Sequence, residues 1–152
     1  MEIKELNERP GIDQNKKLQN AYAKFSKLRA ELKKKEIPDE IVYYINNGID
    51  RINSVSESEK KLGIQIKSTQ SGILKLIEKE CKLVVKNHYQ NTWLAVGMAV
   101  FGIPLGVAFG AGNGNLGFIG IGLPLGMVIG MAIGAGMDKK AFKEGRQLDI
   151  EI

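Results

Sequence analysis

The chain has one cysteine and one histidine in 152 residues. A lone Cys81 excludes an intrachain disulfide framework and a cysteine-rich zinc site. Cys81 and His88 together are too few to hold a metal, so neither a metal nor any other cofactor is expected. Catalysis lacks material too. Glu57, Glu59, Glu78 and Glu80 are spaced as helix-surface charges with no histidine, cysteine or metal-ligand set nearby, and the serines of Ser54–Ser58 have no general base beside them. The chain reads as a non-enzyme. It also lacks a glycine-rich phosphate loop in its charged part and any RNA-binding signature. The largest absence is charge itself: from Asn87 to Met137, 51 residues, there is not one Asp, Glu, Lys or Arg. Such a run fits a bilayer better than a small soluble core.

Charge is present elsewhere. Residues 1–92 hold 18 of the 22 basic and 13 of the 17 acidic side chains, and residues 138–152 hold four of each. The first ten residues, MEIKELNERP, are charged with no apolar core, so no cleavable signal peptide is expected there. Three parts follow: 1–92 as cytosolic amphipathic helices or coiled coil, 93–137 as a transmembrane hairpin, and 138–152 as a cytosolic tail. The expected fold is all-α.

Within the first part, Leu18, Tyr22, Phe25, Leu28 and Leu32 form one apolar stripe, which predicts a helix over Asp13–Lys35. Pro38-Asp39-Glu40 opens another. Beyond it Ile45, Ile52, Ile66 and Ile73 share one heptad position and Val55, Leu62, Leu76 and Leu83 another, with Gly48, Glu59, Thr69 and Glu80 interrupting. This predicts a long, imperfect coiled-coil helix reaching to Lys86, bent or broken near Gly63 or Ser71-Gly72. Unbroken, it would extend ~70 Å at ~1.5 Å per residue. The first helix is expected to fold back on it as an antiparallel hairpin.

Trp93–Gly112 and Leu116–Met137 are each long enough to cross a hydrocarbon core of ~30 Å, with Asn113-Gly114-Asn115 as the turn. Tyr89 and Trp93 lie where an interfacial aromatic belt would sit. Lys82 and Lys86 precede the first span, and Lys139, Lys140, Lys143 and Arg146 follow the second. By the positive-inside rule both termini face the cytoplasm. The alternative is a buried soluble hairpin, which needs a partner able to wrap two helices that are apolar all round.

The spans repeat each other. Gly102-Ile103-Pro104-Leu105-Gly106 with Gly110 matches Gly122-Leu123-Pro124-Leu125-Gly126 with Gly130 at an offset of 20, and Gly134 extends the second series. Glycines four apart make a groove that another backbone can approach closely. The two grooves either face each other or face neighbouring protomers. Pro104 and Pro124 each remove a backbone donor within a span and should bend both helices at an equivalent depth, either shaping the hairpin or acting as a gate hinge.

Over Gly102–Gly136 the chain resembles the glycine-zipper membrane proteins of bacteria, which implies self-association into a homo-oligomer in the inner membrane. A small cytosolic region joined to a minimal membrane hairpin also resembles the two-span effectors of bacterial anti-phage systems, including the Hailong type. That resemblance implies a channel whose permeability a nucleotide or single-stranded nucleic acid controls. A non-conducting anchor that recruits a cytosolic protein partner through its coiled coil is the alternative, favoured by spans that offer no polar lining. A toxin-like permeabilising peptide with a controlling domain is a third reading.

Lys75, Lys79, Lys82 and Lys86, spaced four, three and four apart, predict one basic stripe on the helix entering the membrane. It would answer either to anionic lipid headgroups or to a nucleotide or nucleic-acid ligand. Lys16, Lys24 and Lys27 on the first helix are the alternative anion site. Tyr43 and Tyr44 either stack bases or pack beside Ile41 and Ile45.

Overall fold

The computed structural model describes residues 1–9, 12, 15–55, 58–114, 117 and 119–151, and the side chains of all of these except Asn113 and Ile119. The expected helix start at Asp13, Glu57, the Asn115 end of the turn and Leu116 lie outside the described residues. The fold is all-α with almost no strand. The chain divides into two compact units, Met1–Val84 with Leu148–Ile150, and Val85–Gln147 with Glu151.

The first unit is built on three helices: α1 (Lys16–Leu32), α2 (Asp39–Ser54) and α3 (Glu59–Cys81). The Asn15 side chain caps α1, accepting from the backbone N–H of Lys17 and Leu18. Leu18, Phe25, Leu28 and Leu32 of the expected stripe are buried, as is Ala21 beside them.

The long helix does not form. α2 ends at Ser54, Val55 is extended, and α3 begins after Ser58. The break therefore falls among the serines and not at Gly63 or Gly72. Serine hydroxyls compete for backbone groups, and Ser54 Oγ donates to the Arg51 carbonyl at 2.9 Å. Both glycines stay inside α3 because they face neighbours: a Cβ on Gly63 would touch the Leu18 side chain at 3.8 Å, and one on Gly72 would lie 2.9 Å from the Tyr44 hydroxyl. Gly48 likewise makes room for Thr69, whose Cγ2 would sit 2.5 Å from an added Cβ. Two of the residues that interrupt the heptad pattern, Gly48 and Thr69, are thus partners across an antiparallel α2–α3 pair. Helix α1 runs parallel to α3, since Asn15 bonds Glu59 and Leu18 meets Gly63.

An extended segment along α2 completes this unit, and the amphipathic patterns do not announce it. Asn46 Oδ1 accepts from the Lys4 N–H at 2.8 Å while Asn46 Nδ2 donates to the Glu2 carbonyl at 2.9 Å. Asn53 repeats the arrangement with Asn7 N–H (3.0 Å) and the Glu5 carbonyl (3.1 Å). Seven helical residues advance ~10.5 Å and three extended residues ~10 Å, so the two asparagines meet the strand in register. From α1, the Tyr22 hydroxyl donates to the Asn7 carbonyl, Arg29 lies 3.3 Å from Glu5, and Lys33 lies 3.5 Å from Glu2 and Glu5. Asn46 is 5% exposed. Its replacement by alanine leaves a backbone N–H and a carbonyl without partners and is expected to cost about 2 kcal/mol. Faster tryptic cleavage after Lys4 would register the loosened segment; unchanged cleavage and unchanged stability would deny the clasp.

The chain leaves the first unit after Val84 and rejoins it at Leu148. Two-residue strands, β1 (Val84–Val85) and β2 (Gln147–Leu148), pair as a small sheet. Leu83, Val84, Leu148 and Ile150 are all buried, so residues 138–152 are not simply a solvated tail. Glu31 receives the Asp149 N–H at 3.1 Å and pairs with Lys34, and these bonds hold its carboxyl below the usual glutamate range.

The second unit is an apolar hairpin. Its first arm is α4 (His88–Gly97), a π-helical turn (Met98–Gly102) and α5 (Ile103–Asn113); its second is α6 (Ile119–Lys143). Two helices, His88–Gly112 and Gly120–Lys143, are long and apolar enough to cross a membrane. Helix therefore starts five residues before Trp93 and continues past Met137 into the charged residues.

Candidate functional site

The glycines face inward across the hairpin. Along α6 the buried positions are Gly122, Gly126, Gly130, Gly134 and Asp138, a strict step of four, followed by Ala141. A Cβ on Gly122 would lie 2.3 Å from the Gly102 carbonyl oxygen and 2.5 Å from the Gly106 nitrogen. On Gly126 it would lie 2.5 Å from both the Gly97 carbonyl oxygen and the Gly102 nitrogen. Gly130 sits against the Trp93 carbonyl, and a Cβ on Gly134 would lie 2.6 Å from the Tyr89 carbonyl oxygen and 2.5 Å from Gln90 Cα. Gly110 is buried as well. Of the two pairings the repeat allowed, the two arms of one chain take the glycine grooves. Gly97 belongs to the seam but lies outside the repeat, five residues before Gly102, because the π-helical turn adds a residue between them and keeps both on the inner face.

The large apolar side chains turn the other way. Val100, Ile103, Val107, Phe109, Ile121, Leu125 and Val128 are all exposed, Val128 at 61%. A soluble core has the reverse arrangement, with bulk inside and small polar residues out.

The two prolines sit in different local surroundings. Pro104 follows the π-helical turn directly, and the Ile103 N–H reaches five residues back to the Met98 carbonyl. Widening the turn relieves the clash that a proline ring makes with the carbonyl four residues earlier. Pro124 lies within the first two turns of an uninterrupted α6. As the sixth residue of α6 it lies past the first turn, so it forgoes the bond to the Gly120 carbonyl while α6 continues without a π-helical turn.

Asp138 is, with Gly97, a residue of the seam that the sequence patterns did not single out. It is 7% exposed, one step beyond Gly134, and its carboxylate accepts from the backbone N–H of Tyr89 (3.1 Å) and Gln90 (2.9 Å). Those are unpaired donors of the first turn of α4, whose own cap Asn87 is left-handed and supplies no side-chain bond. A carboxylate there satisfies both donors and meets the positive end of the helix dipole. The signal was available: Asp138 falls in the four-residue step of the glycines.

The predicted lysine stripe is dispersed. α3 ends at Cys81, and Lys82 adopts a left-handed conformation (φ 56°). The Leu83 N–H then bonds the Ile77 carbonyl at 3.1 Å, a Schellman-type end that buries Leu83 and Ile77. Lys82 Nζ donates to the Lys79 carbonyl at 2.9 Å, Lys79 pairs with Glu80 at 3.3 Å, and Lys86 lies beyond β1. Only Lys75 and Lys79 share the helix. Tyr43 and Tyr44 are 59% and 49% exposed, with the Tyr44 hydroxyl over Gly72. Among the described residues no group of His, Cys, Asp and Glu could hold a metal ion. Comparison with protein-family models, with curated proteins and with solved structures finds no match to this chain.

Proposed function

We propose that the chain is an inner-membrane protein of a bacterium, its residues 1–92 and 138–152 cytoplasmic, whose hairpins associate copy against copy into a narrow apolar pore gated by the helical first unit. The supporting observation is the inverted hairpin: backbone and glycine fill its inside, while among the described residues the exposed large side chains from Val96 to Met137 are apolar. A surface of that kind is stable only against lipid or another such surface. Because the glycine seam is already occupied within the chain, the walls of a pore would be the outward faces of several hairpins. A passage so lined conducts when wide and dewets when narrow. The π-helical turn beside Pro104 gives the first arm a point where its outward face can rotate. The ligand proposed to act on the gate is a nucleotide or single-stranded nucleic acid, in keeping with the resemblance to two-span anti-phage effectors.

The second reading is an anchor that holds the first unit, and a cytosolic partner of it, at the membrane. The lack of any polar residue on the outward faces between Val96 and Met137 among the exposed large side chains favours it.

Topology and conduction are separable. In a Cys81→Ser background, cysteine at Asn113 is expected to react with an impermeant thiol reagent in intact cells, and cysteine at Gln147 only after lysis. Equal labelling of both would remove the hairpin. With topology established, purified protein in liposomes is expected to release trapped ions; intact liposomes at high protein density would replace the pore by the anchor.

A further inference from the structure

A groove between the parallel helices α1 and α3 has the makings of a small-molecule site. One cavity of about 360 Å³ is lined by Ala21, Lys24, Lys67, Gln70, Ser71 and Leu74. A second of about 460 Å³ adjoins it, shares Ala21 and Lys67, and adds Lys17 and Lys60. Both lie within the ordinary range of ligand pockets. Lys17 and Lys24 are seven apart on one helix and Lys60 and Lys67 seven apart on the other, so the groove is edged by two short rows of ammonium groups. Ion pairs elsewhere in this unit engage Lys4, Lys33, Lys34 and Lys79. Among the described residues none of the four groove lysines has an acidic partner within 4 Å. Glu59, the acid lining the second cavity, is bonded to Asn15 Nδ2 at 2.9 Å.

The independent observation is Gln70. It is 6% exposed, lines the first cavity, and has no hydrogen-bond partner among the described residues. Both polar atoms of its carboxamide keep accessible surface, so the amide is open to a ligand entering the groove. Ala21 and Leu74 supply the apolar part of the same lining, against which a planar base can lie. An amide offers one donor and one acceptor side by side, the pattern that glutamine uses against the N6/N7 edge of adenine.

We propose that this groove binds an adenine nucleotide, the base edge on the Gln70 amide and the phosphates between Lys24 and Lys67. The inference deepens the ligand-gated reading above, but binding is measured without the membrane activity, so either can fail alone. The test is calorimetric titration of the full chain in neutral detergent at about 50 mM salt, with adenosine diphosphate and inorganic pyrophosphate as probes. Adenosine diphosphate is expected to bind with a dissociation constant at or below about 100 μM and more weakly at about 200 mM salt. Gln70→Leu should weaken it about tenfold or more and leave pyrophosphate unchanged. Lys24→Gln with Lys67→Gln should weaken both probes. Lys75→Gln with Lys79→Gln, off the groove, should change neither. The lysine variants replace exposed side chains, and unaltered circular dichroism checks that each fold persists. No binding up to about 5 mM, or binding that both the Gln70 and the paired lysine changes leave intact, overturns the assignment; pyrophosphate binding as tight as the nucleotide's overturns the base contact.

Discussion

Gly126→Leu is expected to separate the two arms of the hairpin and to lower its stability in detergent by about 3 kcal/mol or more. Even the first carbon of a side chain at this position would sit 2.5 Å from two backbone atoms of the opposite arm, the Gly97 carbonyl oxygen and the Gly102 nitrogen. Backbone cannot move aside as a flexible side chain can, so the helices must part. In lipid, dispersion contact between close-packed backbones is a main source of association, and parting forfeits it along the whole seam. Gly130→Leu should act alike, since its nearest neighbour is the Trp93 carbonyl. Leu125→Ile, on the exposed face, should be nearly silent. Thermal unfolding followed by circular dichroism reads the difference. Equal midpoints for wild type and Gly126→Leu would mean that the arms do not pack through this seam. Loss of oligomer in Gly126→Leu with the hairpin midpoint unchanged would instead place the glycines between protomers.

The second large effect is expected at Asp138. Asp138→Ala removes the acceptor for two backbone donors at the start of α4 and leaves them buried, at a cost of about 2–4 kcal/mol. Asp138→Asn keeps one acceptor oxygen and loses the charge that favours the helix dipole, so it should cost roughly half as much. The local signature is faster amide exchange at Tyr89 and Gln90 in both variants, graded in that order. Exchange that stays slow at both residues in Asp138→Ala would show that α4 starts without this cap. The Asp138 carboxylate, bonded to Tyr89 and Gln90, takes part in the packing of the hairpin at the point where α6 continues beyond the apolar run.

Much of this could be read along the chain. The uncharged stretch from Asn87 to Met137 marks two apolar helices, each long and apolar enough to cross a membrane. The four-residue step of Gly122, Gly126, Gly130 and Gly134 dictates a close helix contact, whatever the partner. The stripe from Leu18 to Leu32 and the isoleucines 45, 52, 66 and 73 mark the buried faces of the first unit, since periodicity records which side of a helix avoids water.

Tertiary structure decided the rest. A heptad pattern does not say whether its segments continue or fold back, because Ile45, Ile52, Ile66 and Ile73 are buried either way; the serines at 54–58 and the match of Gly48 to Thr69 settle it in favour of an antiparallel pair. The lysines at 75, 79, 82 and 86 lose their common face because burying Leu83 requires the helix to stop at Cys81. The segment held by Asn46 and Asn53 is too short to show a hydrophobic period, being fixed by side-chain amides and by the buried Ile3. Gln70 lies at a core position of α3 by spacing, and only the placement of α1 beside it opens its amide onto a groove. Local spacing establishes which residues leave water, whereas contacts between residues distant along the chain determine what those residues meet.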